Sequence, residues 1–147
     1  MTTSFPEIPA RRSQQLLTGV LRTSLKLLVK PLFNGRTPLP LMRAGLKAAA
    51  STTLPARGVT RDLVHLGGVP AERWRPADGA SDSVVLYLHG GAYCVGGPIT
   101  HRSLASHLSR VSQATVLVVD YRLAPEHPCP AALEDALAAY QSLLEEG

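Results

Sequence analysis

The residues best suited to chemistry form a glycine loop that follows a run of apolar residues. Val84–Leu88 is uninterrupted and rich in β-branched residues, which predicts a strand buried on both faces. His89, Gly90 and Gly91 come next. Ligands of α/β sheets bind beyond the carboxyl ends of strands, where glycines let backbone N–H groups approach an oxyanion or a phosphate. The chain contains neither Gly-x-Gly-x-x-Gly nor Gly-Lys-Ser/Thr, so the loop does not match a phosphate-binding fingerprint.

A second block follows at a fixed distance and makes the pattern specific. It begins at Tyr121, thirty-two residues beyond His89, and reads Tyr-Arg-Leu-Ala-Pro-Glu-His-Pro-Cys-Pro-Ala. The first loop, His-Gly-Gly-Ala-Tyr, resembles the oxyanion loop of esterases and lipases with the α/β-hydrolase fold. The second block closely resembles the corresponding block of the hormone-sensitive-lipase-like carboxylesterases. The resemblance covers residues 59–147 well and residues 1–50 loosely, where that family carries the helices of a cap over the active site.

The resemblance implies hydrolysis of a small-molecule carboxylic ester through an acyl-serine, without a cofactor or a metal. It assigns the backbone N–H groups of Gly90 and Gly91 to the oxyanion hole. It gives His89 the task of ordering the loop rather than acting as a general base. Ala92 replaces a third glycine and, together with Tyr93, is expected to line the substrate pocket.

The nucleophile expected from this resemblance is missing. It lies in Gly-x-Ser-x-Gly at a strand-to-helix elbow, and none of the eleven serines of this chain has glycine at both positions. Ser81 comes nearest, with Gly79 before it and Ser83 after it. We therefore expect the chain to stop before the elbow, as the N-terminal half of a larger enzyme, with the nucleophile, acid and base outside these 147 residues.

The cysteines and histidines offer weaker alternatives. Cys94 lies in the glycine loop and is a second candidate nucleophile, but no base is evident beside it. A disulfide between Cys94 and Cys129 is also considered, although we expect reduced thiols in a cytoplasmic protein. The five histidines lack metal-ligand spacing, since His101 and His107 do not share a helix face.

Charge is distributed unevenly along the chain. Residues 1–50 hold eight Lys or Arg and a single acid, whereas residues 51–147 hold seven Arg and ten acids. This asymmetry predicts an N-terminal segment with its own role and an acidic globular remainder. The resemblance implies that residues 1–50 form a helical cap or tether segment and that residues 51–147 form the N-terminal half of a hydrolase domain. The basic residues are spread out and lack interleaved aromatic residues, which argues against nucleic-acid binding.

The N-terminal segment contains a basic amphipathic pattern. Residues 13–30 have helical periodicity, with an apolar stripe opposite Arg22, Lys26 and Lys30. We expect this helix to pack on the rest of the protein, and binding to an anionic membrane surface is the alternative. Arg22 and Lys26 interrupt the apolar run that an export signal after Arg11-Arg12 requires, and no transmembrane stretch is present.

The remaining patterns predict the elements that position the loop. Strands are expected over Val59–Leu66, Glu72–Pro76, Val84–Leu88 and Thr115–Val119, with helices over 39–50, 100–112 and 131–144. Thr100 is the expected N-cap of the second of these helices, with Leu104, Leu108 and Val111 facing inward. On the third helix the apolar side chains share one side. They are Leu133, Ala136, Leu137, Tyr140 and Leu144.

The order strand, helix, strand, helix predicts an α/β fold with a mostly parallel sheet and flanking helices. The resemblance implies that this is the N-terminal part of an α/β-hydrolase fold, preceded by cap-type helices. In the Pro-rich block we expect Arg122 and Glu126 to pair and a cis X-Pro bond to occur.

A non-catalytic remnant or partner-binding fragment is the rival to the esterase. For this rival we expect a bare sheet edge beside Val84–Leu88 and self-association through it.

Overall fold

The computed structural model describes residues 18–20, 22, 23, 26, 27 and 36–146. By its internal contacts the chain divides into two compact units, Met1–Thr37 and Pro38–Gly147. The sequence placed this division near residue 50, whereas the helix over 39–51 belongs to the second unit. In the first unit residues 18–20, 22, 23, 26 and 27 are helical, and the rest of the helix predicted over 13–30 lies outside the described residues.

The second unit contains three helices and four strands among its described residues. In chain order they are α1 (Leu39–Ser51), β1 (Val59–Leu66), β2 (Val69–Pro76), β3 (Val84–Tyr87), α2 (Pro98–Ser112), β4 (Thr115–Val119) and α3 (Ala131–Glu146). Among the described residues, no helix has both the length and the apolar character needed to cross a membrane.

The four strands form one mixed sheet in the order β1-β2-β4-β3. Only β3 and β4 are parallel, while β1–β2 and β2–β4 are antiparallel. The expectation of an α/β fold is confirmed, but the described sheet is not mostly parallel. The reason is local, because Gly67 and Gly68 both have positive φ and close a two-residue hairpin that makes β1 and β2 antiparallel. β2 therefore begins at Val69 rather than at Glu72.

The central strand β4 has its side chains buried on both faces of the sheet, as predicted. Val116 and Val118 pack with Trp74 and with Ala105 of α2. Leu117 and Val119 lie in a second cluster with Ala139 of α3. Since successive side chains of a strand point to opposite faces, α2 covers one face of the sheet and α3 the other.

Helix α2 begins earlier than predicted, and of the three residues expected to face inward only Leu108 packs against the core. Its first residue is Pro98, which suits a first helical turn, and Thr100 donates its hydroxyl to the carbonyl of Gly97 at 2.7 Å within that turn. Leu104 and Val111 are 53% and 84% exposed. The buried residues are small instead, namely Pro98, Ala105, Ser106 and Ser109.

The buried serines allow α2 to approach the sheet closely because their hydroxyls are hydrogen-bonded. Ser109 Oγ donates to the carbonyls of Trp74 and Ala114, at 3.2 and 2.9 Å. Ser106 Oγ accepts the backbone N–H of Ala56 at 2.8 Å. A buried hydroxyl with such partners avoids the cost of desolvation, so small polar residues serve here where the sequence suggested leucine.

Helix α3 presents most of its large apolar side chains outward, whereas Leu143 packs against the core. It buries Ala131, Asp135 and Ala139, and the hairpin approaches so closely that a Cβ on Gly67 would lie 2.5 Å from the carbonyl oxygen of Ala138. The exposed side chains of α3 form what we call the α3 stripe. It consists of Leu133, Leu137, Tyr140 and Leu144, each at least half exposed.

Strand β3 lies at the edge of the described sheet. It pairs with β4, and among the described strands it has no second neighbour. Val84 is 51% exposed and the other three residues of β3 are half-buried. The prediction of a strand buried on both faces is therefore wrong for β3 in the described sheet.

Candidate active site at the end of strand β3

The glycine loop spans residues 88–97 and connects β3 to α2. It lies at the carboxyl end of β3, beside the carboxyl end of the parallel strand β4, where Tyr121 begins the Pro-rich loop. This is the edge at which α/β sheets bind ligands. The structure therefore brings together the two blocks that the sequence singled out.

Gly91 has a conformation and a packing that only glycine allows. Its φ is +136°, and a Cβ at this position would lie 1.9 Å from the carbonyl oxygen of Val95. Its own carbonyl accepts hydrogen bonds from the N–H groups of Cys94 and Val95, both at 3.0 Å. Gly90 differs, because nothing lies within 4 Å of an added Cβ.

The next two residues are in the left-handed region of backbone space. Ala92 and Tyr93 have φ of +51° and +59°. This conformation costs a non-glycine residue roughly 1–2 kcal/mol, so neighbouring contacts must hold it. One of them is the N–H of Ala124, which donates to the carbonyl of Tyr93 at 2.8 Å.

The N–H groups of Gly90 and Gly91 are candidate donors to a ligand. Neither donates to any acceptor among residues 36–146. Both residues line a cavity of about 370 Å³ between the loop and helix α3. The other lining residues are Leu88, His89, Ala92, Tyr93, Tyr121, Ala132, Leu133 and Ala136. Two N–H donors on residues that line a largely apolar cavity can stabilise an anion or a developing oxyanion if they point into it.

His89 is buried and built into the base of the loop. It is 4% exposed, and its ring stacks on Tyr121 with a centroid distance of 4.2 Å and an interplanar angle of 8°. Its Nδ1 lies 3.0 Å from the carbonyl oxygen of Gly90, whereas its Nε2 is buried without a partner among the described residues. Burial lowers the pKa of His89, so the ring is neutral near pH 7.

These contacts bear on the two roles that His89 could have. A neutral ring that donates from Nδ1 to Gly90 leaves an unprotonated Nε2 inside the protein. A general base needs to reach the proton that it abstracts. The geometry therefore favours loop ordering over proton transfer for His89.

Tyr121 is a residue whose role the sequence analysis did not identify. Its hydroxyl donates a short hydrogen bond to the carbonyl of His89, and its ring is buried under the loop. Burial also raises the pKa of Tyr121. Its place two residues after the end of β4 was the signal available in the sequence, since the end of one parallel strand lies beside the end of its neighbour.

The ion pairs of the Pro-rich loop differ from the predicted pair. Glu126 binds Arg43 of α1, which holds the pKa of Glu126 at about 2. Arg122 instead binds the buried Asp135 of α3, at 2.8 Å, and Glu134 at 3.3 Å. The predicted Arg122–Glu126 pair is therefore wrong, because helix α3 brings a buried carboxylate to Arg122. Two X-Pro bonds are cis, Ala124–Pro125 and Cys129–Pro130, where one was expected.

The alternative sites considered from the sequence are not assembled. Cys94 and Cys129 are both free thiols, so they form no disulfide. His101 stacks on His89 at a centroid distance of 5.6 Å rather than joining a ligand set. In the part of the chain that the structure describes, no group of three or more His, Cys, Asp or Glu could hold a metal ion.

Comparison with known proteins gives consistent matches. The model of a family described as having the alpha/beta hydrolase fold matches residues 85–147. An acetyl-hydrolase of Streptomyces hygroscopicus is 51% identical over 88 residues, which are 58% of this chain and 28% of that protein. The carboxylesterase/phospholipase LipF of Mycobacterium tuberculosis is 38% identical over 130 residues, which are 83% of this chain and 35% of that protein.

A solved structure also matches this chain in fold and in sequence. A hormone-sensitive lipase from a metagenome library superposes with a TM-score of 0.78 at 39% identity, covering 90% of this chain and 42% of that one. This chain therefore spans less than half the length of the relatives that it matches.

Proposed function

We propose that this chain, which is similar in sequence and fold to hormone-sensitive-lipase-like α/β-hydrolases, supplies the oxyanion hole of a carboxylic ester hydrolase. The observation that carries the proposal is the pair of N–H groups of Gly90 and Gly91. Both glycines line a cavity at the carboxyl end of β3, and their N–H groups donate to no acceptor among residues 36–146. The substrate class is a small-molecule ester, with no cofactor.

In the proposed reaction a serine attacks the ester carbonyl, and the C–O bond to the alcohol breaks so that the alcohol leaves and an acyl-enzyme remains. Water then hydrolyses the acyl-enzyme to the carboxylic acid and the free serine. Negative charge develops on the carbonyl oxygen in each tetrahedral intermediate. The N–H groups of Gly90 and Gly91 stabilise this charge, and removal of one donor of this kind typically costs about 2.7–4 kcal/mol of transition-state stabilisation. Ala92 and Tyr93 line the cavity beside the hole and contact the substrate.

The loop is well suited to this task because it is held before the substrate arrives. Gly91 closes the turn, and Tyr121 and His89 support it from below. Donors that are already oriented need no reorganisation when the charge forms. We assign His89 to loop ordering.

The test is ester hydrolysis by the product of the complete reading frame that contains these residues. None of the serines of this chain lies in Gly-x-Ser-x-Gly, so the nucleophile has to come from residues beyond this sequence. We expect that product to hydrolyse p-nitrophenyl acetate or butyrate and to be labelled at one serine by a fluorophosphonate. We expect the 147-residue chain to do neither. A complete product without hydrolysis and without labelling contradicts the proposal.

A second candidate is a non-catalytic chain that associates through the edge of its sheet. Two observations favour it, namely the unpaired edge of β3 and the exposed α3 stripe. An unpaired strand edge is a template for pairing with another chain. Ester hydrolysis by the complete product separates the two candidates.

We also propose a cytoplasmic location. The support is the pair of free cysteines, Cys94 and Cys129, and the charged Arg22 and Lys26 in the segment that follows Arg11-Arg12. Fractionation of the source cells tests this, and recovery of the protein in an exported fraction contradicts it.

A further inference from the structure

We propose that Arg43 is a positioning residue for the oxyanion hole, an inference that rests on the proposed function. Arg43 lies on α1, outside both of the blocks that define the site. Its Nε donates to the carbonyl of Cys94 at 2.8 Å, and its Nη2 donates to the carbonyl of Ala124 at 2.8 Å. The same guanidinium binds both carboxylate oxygens of Glu126, each at 2.8 Å.

These four hydrogen bonds join three parts of the chain through one planar group. Cys94 belongs to the glycine loop, and Ala124 and Glu126 belong to the Pro-rich loop. Only arginine offers donors in a rigid fork that can serve two carbonyls and a carboxylate together. A lysine keeps the charge and loses this geometry.

The contact with Cys94 lies at the point where the glycine loop needs support. The two residues before Cys94 have left-handed backbone conformations, which are costly for Ala92 and Tyr93. The carbonyl of Tyr93 is held by the N–H of Ala124, and the carbonyl of Ala124 is in turn held by Arg43. The hydrogen bond from Ala124 to Tyr93 keeps this strained turn in place. Arg43 restrains both sides of that bond, because it binds the carbonyl of Ala124 and the carbonyl of Cys94, the residue after Tyr93.

The strained turn determines where the oxyanion donors point. It closes onto the carbonyl of Gly91 through the N–H groups of Cys94 and Val95. If the turn relaxes, the peptide planes at Gly90 and Gly91 rotate with it. A displacement of about 1 Å in a catalytic group can cost on the order of 100-fold in rate.

Glu126 keeps the guanidinium in this orientation. Its carboxylate is ionised down to a pH near its pKa of about 2, which Arg43 itself lowers. The pair therefore persists throughout the pH range in which an esterase is assayed. Glu126→Gln keeps one acceptor for Arg43, so we expect it to weaken the effect rather than remove it.

The first test uses the 147-residue chain and does not require activity. In Arg43→Ala we expect the amides of Cys94, Val95 and Ala124 to exchange with deuterium about 10-fold faster or more, since their acceptors lie in the released turn. The amides of β4 should keep their rates. Arg110→Ala is the matched control, because Arg110 pairs only with Asp78 among the described residues that carry charge. A folded Arg43→Ala chain with unchanged loop exchange overturns the inference.

The second test uses the product of the complete reading frame. We expect Arg43→Ala to lower kcat about 10-fold or more and to leave KM within about threefold, because the oxyanion hole acts in the transition state. Arg43→Lys should recover only part of kcat, and Arg110→Ala should leave both constants unchanged. An active enzyme whose kcat is insensitive to Arg43→Ala overturns the inference. If the unmodified product hydrolyses no ester, the proposed function fails, and the exchange experiment still decides whether Arg43 holds the loop.

Discussion

At the scale of single residues, the two glycines of the loop have different structural requirements. An added methyl group at Gly91 meets the carbonyl of Val95 and forces a φ of +136° on a residue with a side chain, whereas Gly90 has open space. We expect Gly91→Ala to lower the free energy of unfolding by about 1–3 kcal/mol. We expect Gly90→Ala to leave it unchanged or raise it by less than about 1 kcal/mol.

Urea denaturation of the two variants beside the unmodified chain measures this difference. Each substitution adds one methyl group, so each variant is the control for the other. Equal stability of the two variants would show that the loop does not hold Gly91 in the conformation described here.

The burial of His89 predicts that the free energy of unfolding depends on pH. Burial lowers the pKa of His89 in the folded chain below its ordinary value of 6.5. Below about pH 6.5 the unfolded chain therefore binds a proton that the folded chain does not. The free energy of unfolding should fall as the pH is lowered from 7 to 5, by at most about 1.4 kcal/mol per pH unit from this group.

Urea titrations at several pH values measure this slope. His89→Phe keeps a ring against Tyr121 and cannot be protonated, so its slope should be shallower. His107→Gln, at an exposed position of α2, should keep the slope of the unmodified chain. A slope that is the same with and without His89 would be the contradicting result.

At the scale of the elements, helix α3 is anchored by one buried carboxylate. Asp135 accepts the backbone N–H of Arg122 at 2.8 Å and also binds its guanidinium. Arg122 lowers the pKa of Asp135, so the carboxylate is ionised at neutral pH. We expect Asp135→Ala to reduce the free energy of unfolding by about 1–3 kcal/mol, because it leaves a backbone donor without its partner.

Glu134 supplies the control, since it contacts the same guanidinium from an exposed position. Glu134→Ala should change stability little, because exposed ion pairs contribute little. Thermal denaturation at pH 7 compares the two. If Glu134→Ala loses as much stability as Asp135→Ala, burial of the Asp135 carboxylate does not make its contribution larger than that of an exposed ion pair.

At the scale of the whole molecule, the described unit is a sheet covered by α2 and α3 that leaves two apolar surfaces open. These are the edge of β3 and the α3 stripe. A lysine on an edge strand opposes pairing with a second chain. We therefore expect Val84→Lys to reduce concentration-dependent association of the 147-residue chain, because Val84 is the exposed residue of the edge strand.

Light scattering over a series of protein concentrations measures the association. Val111→Lys is the matched control, since it makes the same change at an exposed position on α2. Association that Val84→Lys leaves intact would exclude the edge of β3 as the contact.

The features predicted correctly from the sequence depend on neighbours along the chain. β1 and β4 have the predicted bounds, because runs of apolar and β-branched residues between turn residues favour strands in most surroundings. The loop that begins at His89 and the block that begins at Tyr121 were found by residue type and spacing. Their positions at the ends of two adjacent strands follow from the strand–helix–strand order.

The features that needed the tertiary structure depend on contacts between distant residues. The pattern of α2 favoured burial of Leu104 and Val111, but the sheet packs against Ala105, Ser106 and Ser109. Sequence spacing paired Glu126 with Arg122, yet its partner is Arg43, 83 residues away. The pattern of a helix with apolar residues on more than one side does not determine which side is buried. The position of an arginine in the sequence does not determine which carboxylate it pairs with. Both are decided by which surfaces meet when the chain folds, because burial and hydrogen-bond satisfaction are properties of the assembled core rather than of any one segment.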